Sequence, residues 1–187
     1  MIYFEFNEKK ATQVAALFLK KSGGKMNYMK LIKLLYLADR KSLEYWERPL
    51  TTDSYYSMEH GPILSKVLDW INNGERLGEE TYWHGFISGP SNYEISLLAE
   101  AEMEDDELSR REKDLIGSIF EEYKTKDQWE MVDICHEILP EWEDPGRTSL
   151  QIDIKDIFRA LGKTEIEIAA IEDEISNLQY AKKLLSA

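Results

Sequence analysis

The chain is poor in the groups from which most active sites are made. Among its 187 residues there are one cysteine, three histidines and five prolines. A single thiol, Cys135, cannot close an internal disulfide, so the fold must be held by its core. No apolar run approaches the ~20 residues that cross a bilayer, which argues against a membrane partner. The opening MIYFEFNEKK has no basic stretch leading an apolar signal core, and these features together predict a cytoplasmic protein. No nucleophile elbow, zinc-finger spacing or phosphate-cradling loop occurs, and Gly23-Gly24 lacks the lysine-serine sequel of the last of these.

What is present is a globular composition, 43% hydrophobic and 11% aromatic. The net charge of −13 conceals a division. Residues 1–50 hold ten Lys/Arg against five Asp/Glu, and the remainder holds thirteen against thirty-one. Either the helices merely differ in surface charge, or the basic part meets an acidic partner and the acidic remainder a basic one. Long-range repulsion disfavours nucleic acid as the main ligand.

Asn27 to Pro49 organises the chain. Tyr28, Leu31, Leu35, Ala38, Ser42 and Tyr45 recur at helical spacing, and Ile32, Leu34, Leu37 and Trp46 widen the apolar face almost to the full circumference. This predicts a central apolar helix over about 28–47, capped by Asn27 and stopped at Arg48-Pro49. Before it, an extended lead-in (Ile2, Phe4 and Phe6 on one side) precedes a helix from Asn7 to Lys21. After it, 49–59 reads as extended or turn-like, and a helix over 62–73 takes Pro62 at its first position. The alternating runs TYWHGFIS and NYEISLLA predict a β-hairpin over about 81–98, and the acidic run 100–107 a linker. Capping boxes at Ser109/Glu112, Asp127/Glu130 and Thr164/Glu167 open three more helices, with an irregular stretch over 140–150 and a short helix over 154–161 between the last two. The expected architecture is mainly α, a compact multi-helix domain around the central helix with one small antiparallel hairpin. Residues 1–162 form the domain. The helix within 163–187 packs on it or pairs with another copy, and its stripe of Ile168, Ile171, Ile175, Leu178 and Leu185 suits both.

Chemistry is thin. Cys135 and His136 are neighbours on a helix, so their side chains diverge by about 100°, and Cys135 reads as a core residue. Glu130, Asp133, His136 and Glu137 share one helix, but a di-metal carboxylate site needs a second such set. His60 and His84 have no metal-ligand company. No catalytic residue, metal or cofactor is expected, and the chain does not read as an enzyme.

Three segments carry a resemblance. Lys33, Leu34, Leu35, Tyr36, Ala38 and Asp39, in LIKLLYLAD, resemble the core-helix motif of the Panacea domain, the SocA-like antitoxin family. Gly61-Pro62, after His60, resembles its Gly-Pro turn. His136, Pro140 and Trp142 resemble its closing segment, and the match spans roughly residues 8–162. Ile32 stands where the family often has glutamine, and His60 where it often has tyrosine. The resemblance implies a helical module that binds and neutralises a toxin from a neighbouring gene, or delivers it to a protease unfoldase, in systems such as those of phage. Tyr45, Trp46, Tyr55, Tyr56, Tyr82 and Trp83 are the candidate partner contacts, because Tyr and Trp dominate binding hot spots. The alternatives are a DNA-binding regulator reading through helix 62–73 and the hairpin, and a metal-dependent hydrolase built on Asp133, His136 and Glu137. For DNA, residues 62–73 supply only Lys66, where a reading helix needs several exposed basic residues.

Overall fold

The computed structural model describes residues 2–73, 81–98 and 104–185, and contains seven α-helices and two small antiparallel sheets among them. In order these are α1 (Glu8–Lys21), β1 (Lys25–Asn27), α2 (Tyr28–Trp46), β2 (Tyr55–Met58), β3 (Gly61–Leu64), α3 (Ser65–Asn73), a short 3₁₀ turn at Trp83–Gly85, and β4 (Glu94–Ser96). Then follow α4 (Arg110–Tyr123), α5 (Gln128–Ile138), β5 (Leu150–Ile152), α6 (Ile154–Ala160) and α7 (Glu165–Leu185). β1 pairs with β4, and the second sheet has the order β3-β2-β5.

The helices begin where the sequence supplies an oxygen for their free N–H groups. Asn7 caps α1, Asn27 caps α2, and Ser109 and Asp127 form full capping boxes on α4 and α5. Gly24 closes α1 in the left-handed region, its N–H donating to the Leu19 carbonyl at 2.8 Å. The inward stripe of α1, Ala11, Val14, Ala15 and Phe18, is fully buried against α2 and α4. α2 is buried from Lys30 to Asp39, and α1, α3, α4, α5, α6, β1 and β3 pack on it.

Two predicted elements are corrected. Residues 61–64 are not the start of a helix. Gly61 adopts φ +90° and the segment pairs in register with β2, Met58 opposite Gly61 and Tyr55 opposite Leu64. A continuous apolar run suits a buried strand as well as a helix, and length alone could not choose. α3 begins later because the Asp53 carboxylate, reaching from the preceding connector, accepts the Lys66 and Val67 N–H groups at 3.0 Å each. The Asn73-Gly74 helix stop lies partly, and residues 100–103 of the 100–107 linker wholly, outside the described residues, while Asp106 and Glu107 bond Asn7, Lys9 and Gln13 over the first half of α1.

The second correction is the hairpin. Its arms pair over a shorter span, 86–98, through the bridges Ile87–Leu97 and Ser91–Glu94, with the Ser88 N–H donating to the Ser96 carbonyl and the Leu98 N–H to the Phe86 carbonyl at 2.9 Å each. The first arm turns into the 3₁₀ element, which buries the Trp83 ring against Trp70 at 5.4 Å, and the second arm supplies β4 to β1. Burying an indole outweighs the pairing of a short exposed ladder. β5, absent from the prediction, borders β2 with only Ile152 buried.

Half of the ten basic side chains in residues 1–50 are matched by acids of the remainder. Lys9, Lys10, Lys25, Arg40 and Arg48 from the basic part pair with Asp106, Glu112, Glu94, Glu141 and Glu174 of the acidic part. The exposed pairs contribute little individually, but they make the two halves complementary surfaces of one body. On α7, Ile168, Ile171 and Ile175 are buried, whereas Leu178 and Leu185 are exposed.

Candidate functional site: three segments meeting at α2

The polar residues of α2 each fasten a different segment. Lys33 is 1% exposed, and its Nζ donates to the Pro62 carbonyl of β3 at 2.8 Å. This buries it away from solvent, with a carbonyl and not a carboxylate as its partner. Burial pushes the ammonium down to about 8, because no carboxylate stands by to hold the proton. Gly61 lies directly above it. A Cβ there would sit 3.1 Å from Lys33 Nζ and 3.5 Å from Cys135 Cβ, so both the space and the φ of +90° call for glycine.

One turn on, Tyr36 donates its hydroxyl to Glu141 at 3.0 Å, and Arg40 Nε donates to the same oxygen at 2.7 Å. The Glu141 side chain is fully covered, so the pair is a desolvated one. Burial first, then Glu141, raises the Tyr36 phenol well above its usual range. Asp39, 1% exposed, accepts the Leu50 and Thr51 N–H groups at 2.8 Å each, the Thr51 hydroxyl, and the Tyr55 hydroxyl at 2.9 Å. Burial still lifts its carboxyl to about 6 against those four bonds.

The third segment closes over the second. His136 stacks on Trp142 with ring centroids 3.9 Å apart and planes at 14°. Trp142 Nε1–H donates to the Met58 carbonyl of β2 at 3.0 Å. His136 Nε2 is buried with no hydrogen-bond partner, and burial, followed by the Lys33 charge, lowers its pKa. Cys135 is wholly buried, and burial lifts its thiol to about 11, which leaves it unreactive. Pro140 is exposed and turns the chain between Leu139 and Glu141.

The motif residues Lys33, Tyr36, Asp39, Gly61, Pro62, His136 and Trp142 thus lie in one connected cluster, with Leu34, Leu35 and Ala38 buried among them. The model of the antitoxin SocA-like, Panacea domain matches residues 31–143, which contain all of it. The chain belongs to this family. No curated protein and no solved structure matches the chain.

Within this Panacea domain the predicted contact aromatics do not converge. Tyr55 and Trp83 are core residues, 1% and 0% exposed, which corrects their assignment to a surface. Tyr55 is spent on Asp39, and Trp83 on Trp70. Tyr45 is exposed beside the half-buried Trp46, while Tyr56 and Tyr82 are half-buried on other parts of the surface. Sequence reasoning passed over Glu141, Arg40 and the exposed Trp129. The first two could be found only through their distant partners. Trp129 interrupts the polar face of α5, a visible signal. Among the described residues no three His, Cys, Asp or Glu side chains gather as a metal site, and no helix is long and apolar enough to cross a membrane.

Proposed function

We propose that the chain is the antitoxin of a toxin–antitoxin pair, a cytoplasmic, non-enzymatic module that neutralises its toxin by direct binding. The toxin is a protein encoded by a neighbouring gene. Family membership over residues 31–143 carries this reading. The chemistry of the motif supports it, since Lys33, Tyr36, Asp39 and Glu141 are engaged in holding segments together and Cys135 is sealed. A rigid scaffold of this kind presents a surface and needs no turnover.

The alternatives have less in their favour. A DNA-reading wing requires the 81–98 hairpin, whose second arm is committed to β1. The exposed basic side chain described on α3 is Lys66 alone. A hydrolase would need acid, base and metal ligands to converge around His136, and Glu137 and Asp133 on α5 have no second helix to complete them.

The test is co-expression with the adjacent open reading frame. The neighbour induced alone should arrest growth, and this chain should restore it and co-purify with the neighbour. A neighbour that is harmless and does not bind overturns the reading. Rescue accompanied by disappearance of the toxin, reversed when a protease unfoldase is removed, would mark delivery to degradation in place of blocking.

A further inference from the structure

Outside the fastened cluster, α5 turns one face to solvent. Trp129, Asp133, His136 and Glu137 stand at i, i+4, i+7 and i+8, so they share that face, while Met131, Val132, Cys135 and Leu139 fill the opposite one. Two ring pairs open onto it. His60, from the β2–β3 turn, meets the Trp129 ring edge-on at 5.5 Å, and His136 lies flat on Trp142. Burial and the Lys33 charge lower the proton affinity of His136, while Asp133 and Asp144 act to raise it.

Trp129 is 53% exposed, a position in which an indole is free to meet a partner. Beside it stand carboxylates that no described lysine or arginine pairs with. Among the described residues, Glu59, Asp133 and Glu137 have no ion pair or hydrogen bond, although the basic half of the chain supplies counter-charges to acids elsewhere. The face combines exposed aromatic rings with unmatched negative charge, on a platform anchored by the Trp142 bond to β2. Such a surface suits one group best, an arginine side chain. Its planar, weakly hydrated cation stacks on aromatic rings and accepts carboxylates at its edge, where a lysine would retain more of its water.

We infer that the α5 face around Trp129, Asp133 and Glu137 is the toxin-docking surface, and that it takes an arginine-bearing segment of the toxin. This rests on the antitoxin reading for the partner's identity, and the charge of the face supplies the partner's chemistry. The motif residues then hold the platform from behind, and the contact itself is made by residues beside the motif.

The experiment has two arms. In the first, an acetylated tetra-arginine amide is titrated by calorimetry against the full chain at low salt. Wild type should bind saturably, and both Trp129→Ala and Asp133→Lys/Glu137→Lys should weaken binding at least about tenfold. Asp173→Lys, an exposed reversal on α7, should match wild type. No saturable binding, unchanged binding by the face variants, or equal loss in Asp173→Lys overturns the inference. In the second arm the same variants are co-expressed with the neighbouring toxin. Lost rescue with unchanged melting supports the docking site. Full rescue and co-purification by the face variants overturn it while leaving the antitoxin reading intact. A wild-type chain that neither binds nor rescues removes the antitoxin reading, and the peptide arm still decides whether the face takes arginine.

Discussion

The inner and outer sides of α5 treat charge in opposite ways. Inward, the charged groups of α2 each have a designated partner: Lys33 the Pro62 carbonyl, Arg40 the Glu141 carboxylate, Asp39 four donors. Outward, within the width of one helix, Asp133 and Glu137 stand without partners beside an exposed indole. Desolvation accounts for the contrast. A buried charge must be matched or it destabilises the fold, whereas an exposed one costs nothing until a partner covers it. Residues that maintain the fold and the residues proposed to meet a partner therefore differ in burial, and the motif belongs mainly to the first class.

The inner side should break hardest at Asp39. Asp39→Ala leaves two buried N–H groups and two hydroxyls without their acceptor, partly offset by removing a costly buried carboxyl. A loss of about 2–4 kcal/mol is expected in urea unfolding. Asp39→Asn keeps an acceptor for the Leu50 and Thr51 N–H groups and should lose about half as much. Equal losses would mean that the charge, not the hydrogen bonding, is what the site needs. Next comes Gly61→Ala, where a left-handed backbone and a contact 3.1 Å from Lys33 Nζ combine for about 1–3 kcal/mol. Its melting temperature should fall by several degrees.

Lys33 offers a change in pH dependence. Below about pH 8 it is charged in both folded and unfolded chains, and the fold bears the whole cost of burying the cation. Between about 8 and the ordinary 10.5 the folded chain releases its proton while the unfolded chain keeps it, so stability rises with pH across that window. Lys33→Met should abolish that rise. Because the buried Cys135 thiol, lifted to about 11, opposes this slope above about pH 9, the quantity to measure is the difference between wild type and Lys33→Met. A difference that stays flat from 8 to 10.5 would show that Lys33 is better solvated than its position suggests.

How far the fold was legible follows the same division between local and distant. Helix starts announced themselves because a cap and the N–H groups it serves are two or three residues apart, as at Asn27, Ser109 and Asp127. Segment 61–64 was misread because the Asp53 cap that fixes the true start of α3 lies 13 and 14 positions before the groups it serves. The 81–98 hairpin was right over 86–98 but too long, since Trp83 turns the start of its first arm into the 3₁₀ element, and β4 also pairs with β1, a partner some 70 positions away. At the site, the three motif segments were recognisable, yet the duties of Lys33 and Tyr36 depend on partners 29 and 105 positions away. Tyr55 and Trp83 were read as surface aromatics because no helical stripe claims them, yet the central strand β2 buries the first and the 3₁₀ turn packs the second on Trp70.

The smallest effect on stability should come from the outer side, and comparing two tryptophans gives the sharpest form of the contrast. Trp142 stacks on His136 and donates to the Met58 carbonyl, tying the segment after α5 to β2. Trp142→Ala removes a ring pair and a long-range hydrogen bond and exposes the His136 ring, for about 2–3 kcal/mol. Trp129 is 53% exposed and touches His60 only edge-on, so Trp129→Ala should change stability by no more than about 0.5 kcal/mol. In a chain of 187 residues that difference separates a melting shift of several degrees from one of about 1–2 °C. Partner binding should respond in the reverse proportion. Trp129→Ala would lose the toxin while melting normally, and Trp142→Ala would melt early yet recover much of its binding on cooling. If Trp129→Ala melts as low as Trp142→Ala, the indole belongs to the core after all, and the division between the two sides of α5 disappears.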